Sequence, residues 1–224
     1  LGLWDTVLSL GSKFIKSEKY NFHIKEAPSK YVVHVRQALA IDERRADFQP
    51  EIWDRNKKNV EQVWFAGAHA NIGGGYCLDG LSNIAFHWIL DEAGKFGLQS
   101  EDSFSKIYRP FHLHELVDSK TAFYSFFDRI RARTGVRDLN NISLNSNSRL
   151  HYSVLKRICA KESKRRPYFR LYRPQNVHEY LNSVVKLKNS NLKVIMEQLC
   201  LKDEGRMPHD YEIDKVKEFT KMKY

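Results

Sequence analysis

The sequence predicts an α/β protein, and three observations carry that prediction. Val63-Trp64-Phe65-Ala66-Gly67 is a short apolar run suited to a buried strand, and it enters a loop closed by Gly73, Gly74 and Gly75. After Asp79-Gly80, apolar residues fall at Leu81, Ile84, Ala85, Trp88 and Ile89, the i, i+3, i+4, i+7, i+8 spacing of an amphipathic helix. Strand, glycine loop and helix in that order make one α/β unit over residues 63–97. Composition agrees: 224 residues with 42% hydrophobic and 12% aromatic content can bury a core, which excludes wholesale disorder. No stretch approaches the ~18–20 uninterrupted apolar residues of a membrane-spanning helix.

In chain order, Leu1 to Trp4 reads as a short strand that ends at Asp5-Thr6. Tyr31 to Val35 is β-branched and aromatic. It is either a strand or the lead into a helix through Gln37-Ala38-Leu39-Ala40, and periodicity leaves both open. Asp42-Glu43-Arg44-Arg45 is a dense charge cluster that reads as a solvated turn. In the 63–97 unit, Asp79 or Ser82 would cap the helix and Gly97 lies beyond its end. Beyond about residue 115, Lys120 to Arg137 reads as a helix, aromatic then basic, stopped near Gly135. Residues 138–149 are rich in Asn and Ser and read as a loop. His151 to Ala160, Val177 to Leu201 and Tyr211 to Phe219 have helical spacing.

Charge divides the chain. Residues 1–112 carry 14 basic and 14 acidic side chains, so the whole net charge of +10 lies in 113–224. Cys77, Cys159 and Cys200 are too few and too scattered for a disulfide framework, and none forms a Cys-x-x-Cys pair. His112, His114 and Glu115 are the only cluster with metal-ligand character, and their spacing is not that of a His-Glu-x-x-His helix. No metal and no cofactor is expected. Neither G-x-G-x-x-G nor a P-loop occurs, so a phosphate-cradling loop is disfavoured.

The residues that could do chemistry follow the strands. In open α/β sheets, ligands and reactive groups collect beyond the carboxyl ends of the strands, where Asp5 and His69 fall. An Asp bonded to an imidazole can fix its tautomer and support acyl transfer. From spacing alone, His69 fits a structural histidine as well as a catalytic one, and Gly73–Gly75 fit an ordinary loop as well as a site loop.

Three stretches resemble, in the same order, an uncharacterised α/β-hydrolase-like family that includes the phospholipase effectors of bacterial type VI secretion. They are Gly2-Leu3-Trp4-Asp5-Thr6-Val7, Ala38-Leu39-Ala40-Ile41-Asp42-Glu43-Arg44-Arg45 and Gln62 to Tyr76. Leu81 to Ala85 with Trp88, His151 to Arg157 and Tyr172-Arg173-Pro174 extend the likeness over most of residues 1–177. The resemblance implies a hydrolase of ester bonds, phospholipase- or lipase-like, using a Ser-Asp-His triad. Asp5 would match the acid, His69 the general base, and Asn71, Gly73, Gly74 and Gly75 the loop beside it. The serine would lie upstream in a Gly-x-Ser-x-Gly elbow, since no such pentapeptide occurs in these residues. The chain is then a fragment, inactive as given, that lacks the N-terminal part of its own chain. Two positions depart from the family pattern: Asn71 where an Asp is usual, and Gln37 where a His is usual.

The expected architecture is therefore the C-terminal part of an α/β-hydrolase-like sheet and catalytic core over 1–115, followed by a basic, mostly helical region over 116–224. Only about three strands are foreseen, too few for a whole hydrolase sheet, so poor stability without the missing half is expected. The partners foreseen are a lipid or ester substrate and an anionic membrane surface met by the basic half. Nucleic acid, which Arg129 to Arg133 and Lys164 to Arg170 could meet, is disfavoured because no recognised module accompanies them. The alternative reading is a non-catalytic or degenerate module that binds a membrane or a partner protein. The location in the cell, cytoplasm or secreted effector, is left open.

Overall fold

The computed structural model describes residues 1–7, 30–53, 59–119, 135–146, 148–161, 171–188, 200–201 and 210–222. Its centre is one parallel sheet in the order β1-β2-β3-β4-β5. The strands are β1 (Gly2–Trp4), β2 (Val35–Ala40), β3 (Val60–Phe65), β4 (Arg149–His151) and β5 (Cys200–Leu201). Trp4 pairs with Ala38, Ala40 with Phe65, Trp64 with Leu150 and Leu150 with Cys200. The fold is α/β: the strands are parallel, and helices lie between β3 and β4 and between β4 and β5.

Both faces are covered, and the period-2 alternation of the strands assigns each residue to one of them. Ala38, Ala40, Val63 and Phe65 face α2 (Gly80–Gly94) and pack with Ile72, Leu81, Ile84, Ala85, Trp88 and Ile89. Leu39, Ile41, Trp64 and Leu150 face the other way. They meet α5 (Tyr152–Cys159), α6 (Gln175–Lys188) and α7 (Asp210–Thr220) through Leu155, Ile158, Leu181, Val216 and Phe219. Three further helices complete the described elements: α1 (His69–Gly73), α3 (Ser103–Ile107) and α4 (Leu139–Ser146).

Several expectations change. The ambiguous stretch after Tyr31 is a strand, but it lies on Val35–Ala40, and Tyr31 and Val33 are exposed ahead of it. The Asn- and Ser-rich stretch at 138–149 is not all loop. Asp138 starts α4 by accepting the Asn141 N–H on its carboxylate at 3.1 Å, and Leu139 is buried beneath the helix. The helix foreseen from His151 starts one residue later. His151 ends β4, caps α5 by accepting the Ser153 N–H at 3.2 Å, and stacks on Phe65.

The helix foreseen over Val177 to Leu201 is α6 only as far as Lys188, and Cys200–Leu201 are a strand. Among the described residues the sheet thus has five strands rather than three, and it runs across residue 115: β4 and β5 come from the part expected to be mostly helical. The helix expected from Lys120 and the basic stretches 129–133 and 164–170 lie outside the described residues, apart from 135–137, which are not helical.

Candidate functional site

Three chain segments leave the carboxyl ends of β1, β2 and β3 side by side, and each contributes to one cluster. Asp5 follows β1 directly. Its backbone is in the left-handed region at φ 50°, which Asp tolerates better than bulkier residues do. The Asp5 N–H donates to the Ala38 carbonyl at 2.7 Å, so the turn is tied to β2 even as it leaves the ladder. The side chain is fully buried.

Four donors surround that carboxylate. Oδ1 accepts the Ala40 N–H at 2.8 Å and Nη1 of Arg137 at 2.5 Å. Oδ2 accepts Nη2 of Arg137 at 2.9 Å and faces Nδ1 of His69 at 2.8 Å. An ionised carboxylate has about four lone-pair sites and can only accept. All four are used, so the carboxylate cannot rotate without losing bonds. The His69 contact must then run from an Nδ1–H donor, which leaves the Nε2 lone pair available as a base. Burial alone would raise the Asp5 carboxyl. The charge of Arg137 and the hydrogen bonds from His69, Arg137 and Ala40 outweigh it and hold the carboxyl below its ordinary range.

His69 begins α1, and its side chain is 31% exposed against 0% for Asp5. The buried acid thus orients an imidazole that solvent or a ligand can reach. Gly67 makes the approach possible: its φ is +136°, and a Cβ there would lie 2.5 Å from Cβ of Asn71. One edge of the imidazole rests against Phe48 at 5.3 Å between centroids, and the Arg45 guanidinium covers Phe48 at 3.4 Å.

The charge cluster after β2 is not a solvated turn. Glu43 is 1% exposed and is the hub of the loop. Its carboxylate accepts the backbone N–H groups of Arg44, Arg45 and His69, the guanidinium of Arg45 and the hydroxyl of Ser119. Burial would raise this carboxyl too, but the bonds from Arg45 and Ser119 hold it below its ordinary range. Asp42 accepts the Gly67 N–H at 2.7 Å and the Tyr172 hydroxyl at 2.8 Å. There burial wins and pushes the carboxyl up to about 6. The loop carrying His69 is therefore pinned twice to the end of β2.

These shifts predict a pH profile for stability. Asp5 and Glu43, lowered in the fold, add stability above their ordinary values of 3.8 and 4.5, and that stability is lost as pH falls. Asp42 runs the opposite way: its contribution is full below 3.8 and is lost as pH rises through about 6. The denaturation midpoint is expected to peak at about pH 4 to 4.5, between the rise from Asp5 and Glu43 and the decline from Asp42. Asp42→Asn should remove the decline on the alkaline side, worth on the order of 1–3 kcal/mol. A midpoint that rises steadily to neutral pH in both proteins would contradict this.

The other expected site residues are placed differently. Asn71 turns inward and is 2% exposed. Its Oδ1 accepts the Ala68 N–H at 3.2 Å, the return arm of a capping box, and its Nδ2 donates to the Glu115 carbonyl at 3.4 Å. An Asp could make only the first of these bonds. Gly73 ends α1 near Trp4, and Gly74 and Gly75 continue the chain at positive φ, away from the His69 end of that short helix. Gln37 is fully buried and donates to the Glu51 carbonyl at 2.7 Å and to Oε1 of Gln62 at 3.2 Å. It joins β2 to β3 and is remote in role from the cluster. His114 accepts the Gly80 N–H at 2.8 Å at the start of α2, and the described residues contain no group of three or more His, Cys, Asp or Glu arranged for a metal ion.

Arg137 and Tyr172 reach the cluster from far along the chain, and no local pattern in the sequence marks Arg137. Glu43 could have been found, since it lies within the Ala38 to Arg45 stretch already singled out.

Comparison with known proteins finds a likeness over the part of the chain that carries this geometry. Residues 1–92 match the family model of the catalytic domain of Tle1-like phospholipase effectors of type VI secretion, and that span includes both Asp5 and His69. An uncharacterized protein of Saccharomyces cerevisiae is 35% identical over 71 residues, covering 30% of this chain and 9% of that protein. The matched stretch is thus a small part of that relative's length. No solved structure matches the chain.

Proposed function

We propose that this chain supplies the acid and the base of a serine ester hydrolase acting on phospholipids, within the Tle1-like family. The observation that carries the reading is the 2.8 Å contact between the buried Asp5 carboxylate and the accessible His69 ring. The nucleophilic serine comes from a segment upstream of Leu1.

His69 Nε2 takes the serine proton as Oγ attacks the ester carbonyl, then returns it to the departing alcohol. Asp5 stays ionised throughout and stabilises the imidazolium. Water then attacks the acyl-enzyme, His69 again takes a proton, and the fatty acid leaves as serine is restored. The net charge of +10 carried by residues 113–224 suits an anionic lipid surface as the place of work.

The test is hydrolysis of short-chain esters and phospholipid vesicles by the parent chain and its His69→Ala variant. The variant is expected to lose about 10⁴- to 10⁶-fold in kcat. Absence of hydrolysis in both proteins, with vesicle binding that weakens as salt is raised, would instead support the membrane-binding module.

A further inference from the structure

We infer that Arg137 is a positioning residue for the Asp5–His69 pair, so that the acid is completed only by a segment 132 residues further along the chain. The inference rests on the hydrolase reading for its consequence in catalysis, but the geometry behind it stands alone. Arg137 is itself fully buried, an arrangement that is costly for a cation unless it is paired, and among the described residues its two terminal nitrogens are answered while Nε is not.

Its partners are specific. Nη1 and Nη2 grip the two oxygens of Asp5 in the fork geometry that guanidinium offers and ammonium does not. The same two nitrogens donate to the carbonyls of Ala40 at 2.5 Å and Phe48 at 2.7 Å. Ala40 also donates its N–H to Asp5, and Phe48 carries the ring against which His69 rests. One side chain thus sets the plane of the acid, the end of β2 and the wall beside the base.

Arg137 is held in turn from outside the cluster. Asn176 donates to the Arg137 carbonyl at 3.3 Å and to the Ile41 carbonyl at 3.1 Å, which ties α6 to the end of β2. The approach of this segment depends on Gly135, where a Cβ would fall on the Arg44 backbone.

The role predicted for Arg137 is to present Oδ2 to His69 Nδ1 and so to keep the proton on Nδ1. That is read directly as the His69 tautomer, from the nitrogen chemical shifts of the imidazole in the histidine-labelled parent chain. The wild type should show the Nδ1–H form. Arg137→Gln should shift His69 toward the Nε2–H form and lower kcat about 10²-fold.

Arg137→Lys keeps the buried charge and removes the fork. It should give a smaller shift of the same kind, and it covers the case in which Arg137→Gln does not fold. A wild-type tautomer in a folded Arg137 variant would overturn the inference. A tautomer that responds while no variant, nor the wild type, hydrolyses esters would uphold Arg137 and reject the hydrolase reading.

Discussion

Asp5→Asn is expected to lower kcat for ester hydrolysis by about 10⁴-fold, the scale on which a histidine in the wrong tautomer fails as a base. The four donors around this carboxylate explain why so small a change matters. An amide NH₂ in the place of Oδ2 would point donors at His69 Nδ1–H and at Nη2 of Arg137. In the place of Oδ1 it would oppose the Ala40 N–H and Nη1 of Arg137. Either orientation leaves buried donors unanswered.

The backbone is not a confounding cause, because Asn tolerates positive φ as Asp does. Stability should fall as well, by about 3–5 kcal/mol, since Arg137 becomes a buried charge without its counter-ion. Pairing Asp5→Asn with Arg137→Met should recover much of the stability and none of the activity. Hydrolysis close to wild type in the single variant would remove Asp5 from the mechanism.

Trp64→Ala should cost about 3–5 kcal/mol of folding free energy. Trp64 is fully buried in β3, the middle strand of the sheet, with Leu39 and Leu150 beside it in register. Its Nε1–H donates to Ser148 at 2.8 Å within the core, so truncation leaves a cavity and a buried hydroxyl short of its partner. Trp64→Phe should retain most of the packing and cost far less. Urea titration of the three proteins decides the matter: equal losses for Ala and Phe would mean that the hydrogen bond, and not the packing, dominates. Because Phe65 is followed within four residues by His69, the Ala variant is also expected to loosen the site.

Strand positions at Gly2–Trp4 and Val60–Phe65 and the helix at Gly80–Gly94 were legible because apolar periodicity is local information. Asp5 and His69 were legible for a related reason: both follow strands, and strand ends are where parallel sheets collect reactive groups. The short strands β4 and β5 were not. Arg149–His151 carries two basic side chains and one apolar one, and Cys200–Leu201 is only two residues long. Such segments become strands because β3 and then β4 offer an edge to pair with. The helix Leu139–Ser146 was hidden by its Asn and Ser content, which favours turns until burial of Leu139 decides otherwise.

The sequence by itself determined the class of fold, the strand around Val63–Phe65 and the helix after Gly80, since each follows from residue type at close spacing, and it put Asp5 and His69 each just beyond a strand-like run. Tertiary structure alone decided what those residues are worth. It made half-buried Asp42 and buried Glu43 anchors of the His69 loop where local composition suggests solvent, it turned Asn71 and Gln37 inward, and it brought Arg137 onto Asp5. Burial and long-range hydrogen bonding are properties of which surfaces meet, and a guanidinium 132 residues distant leaves no trace in the spacing around the acid it holds.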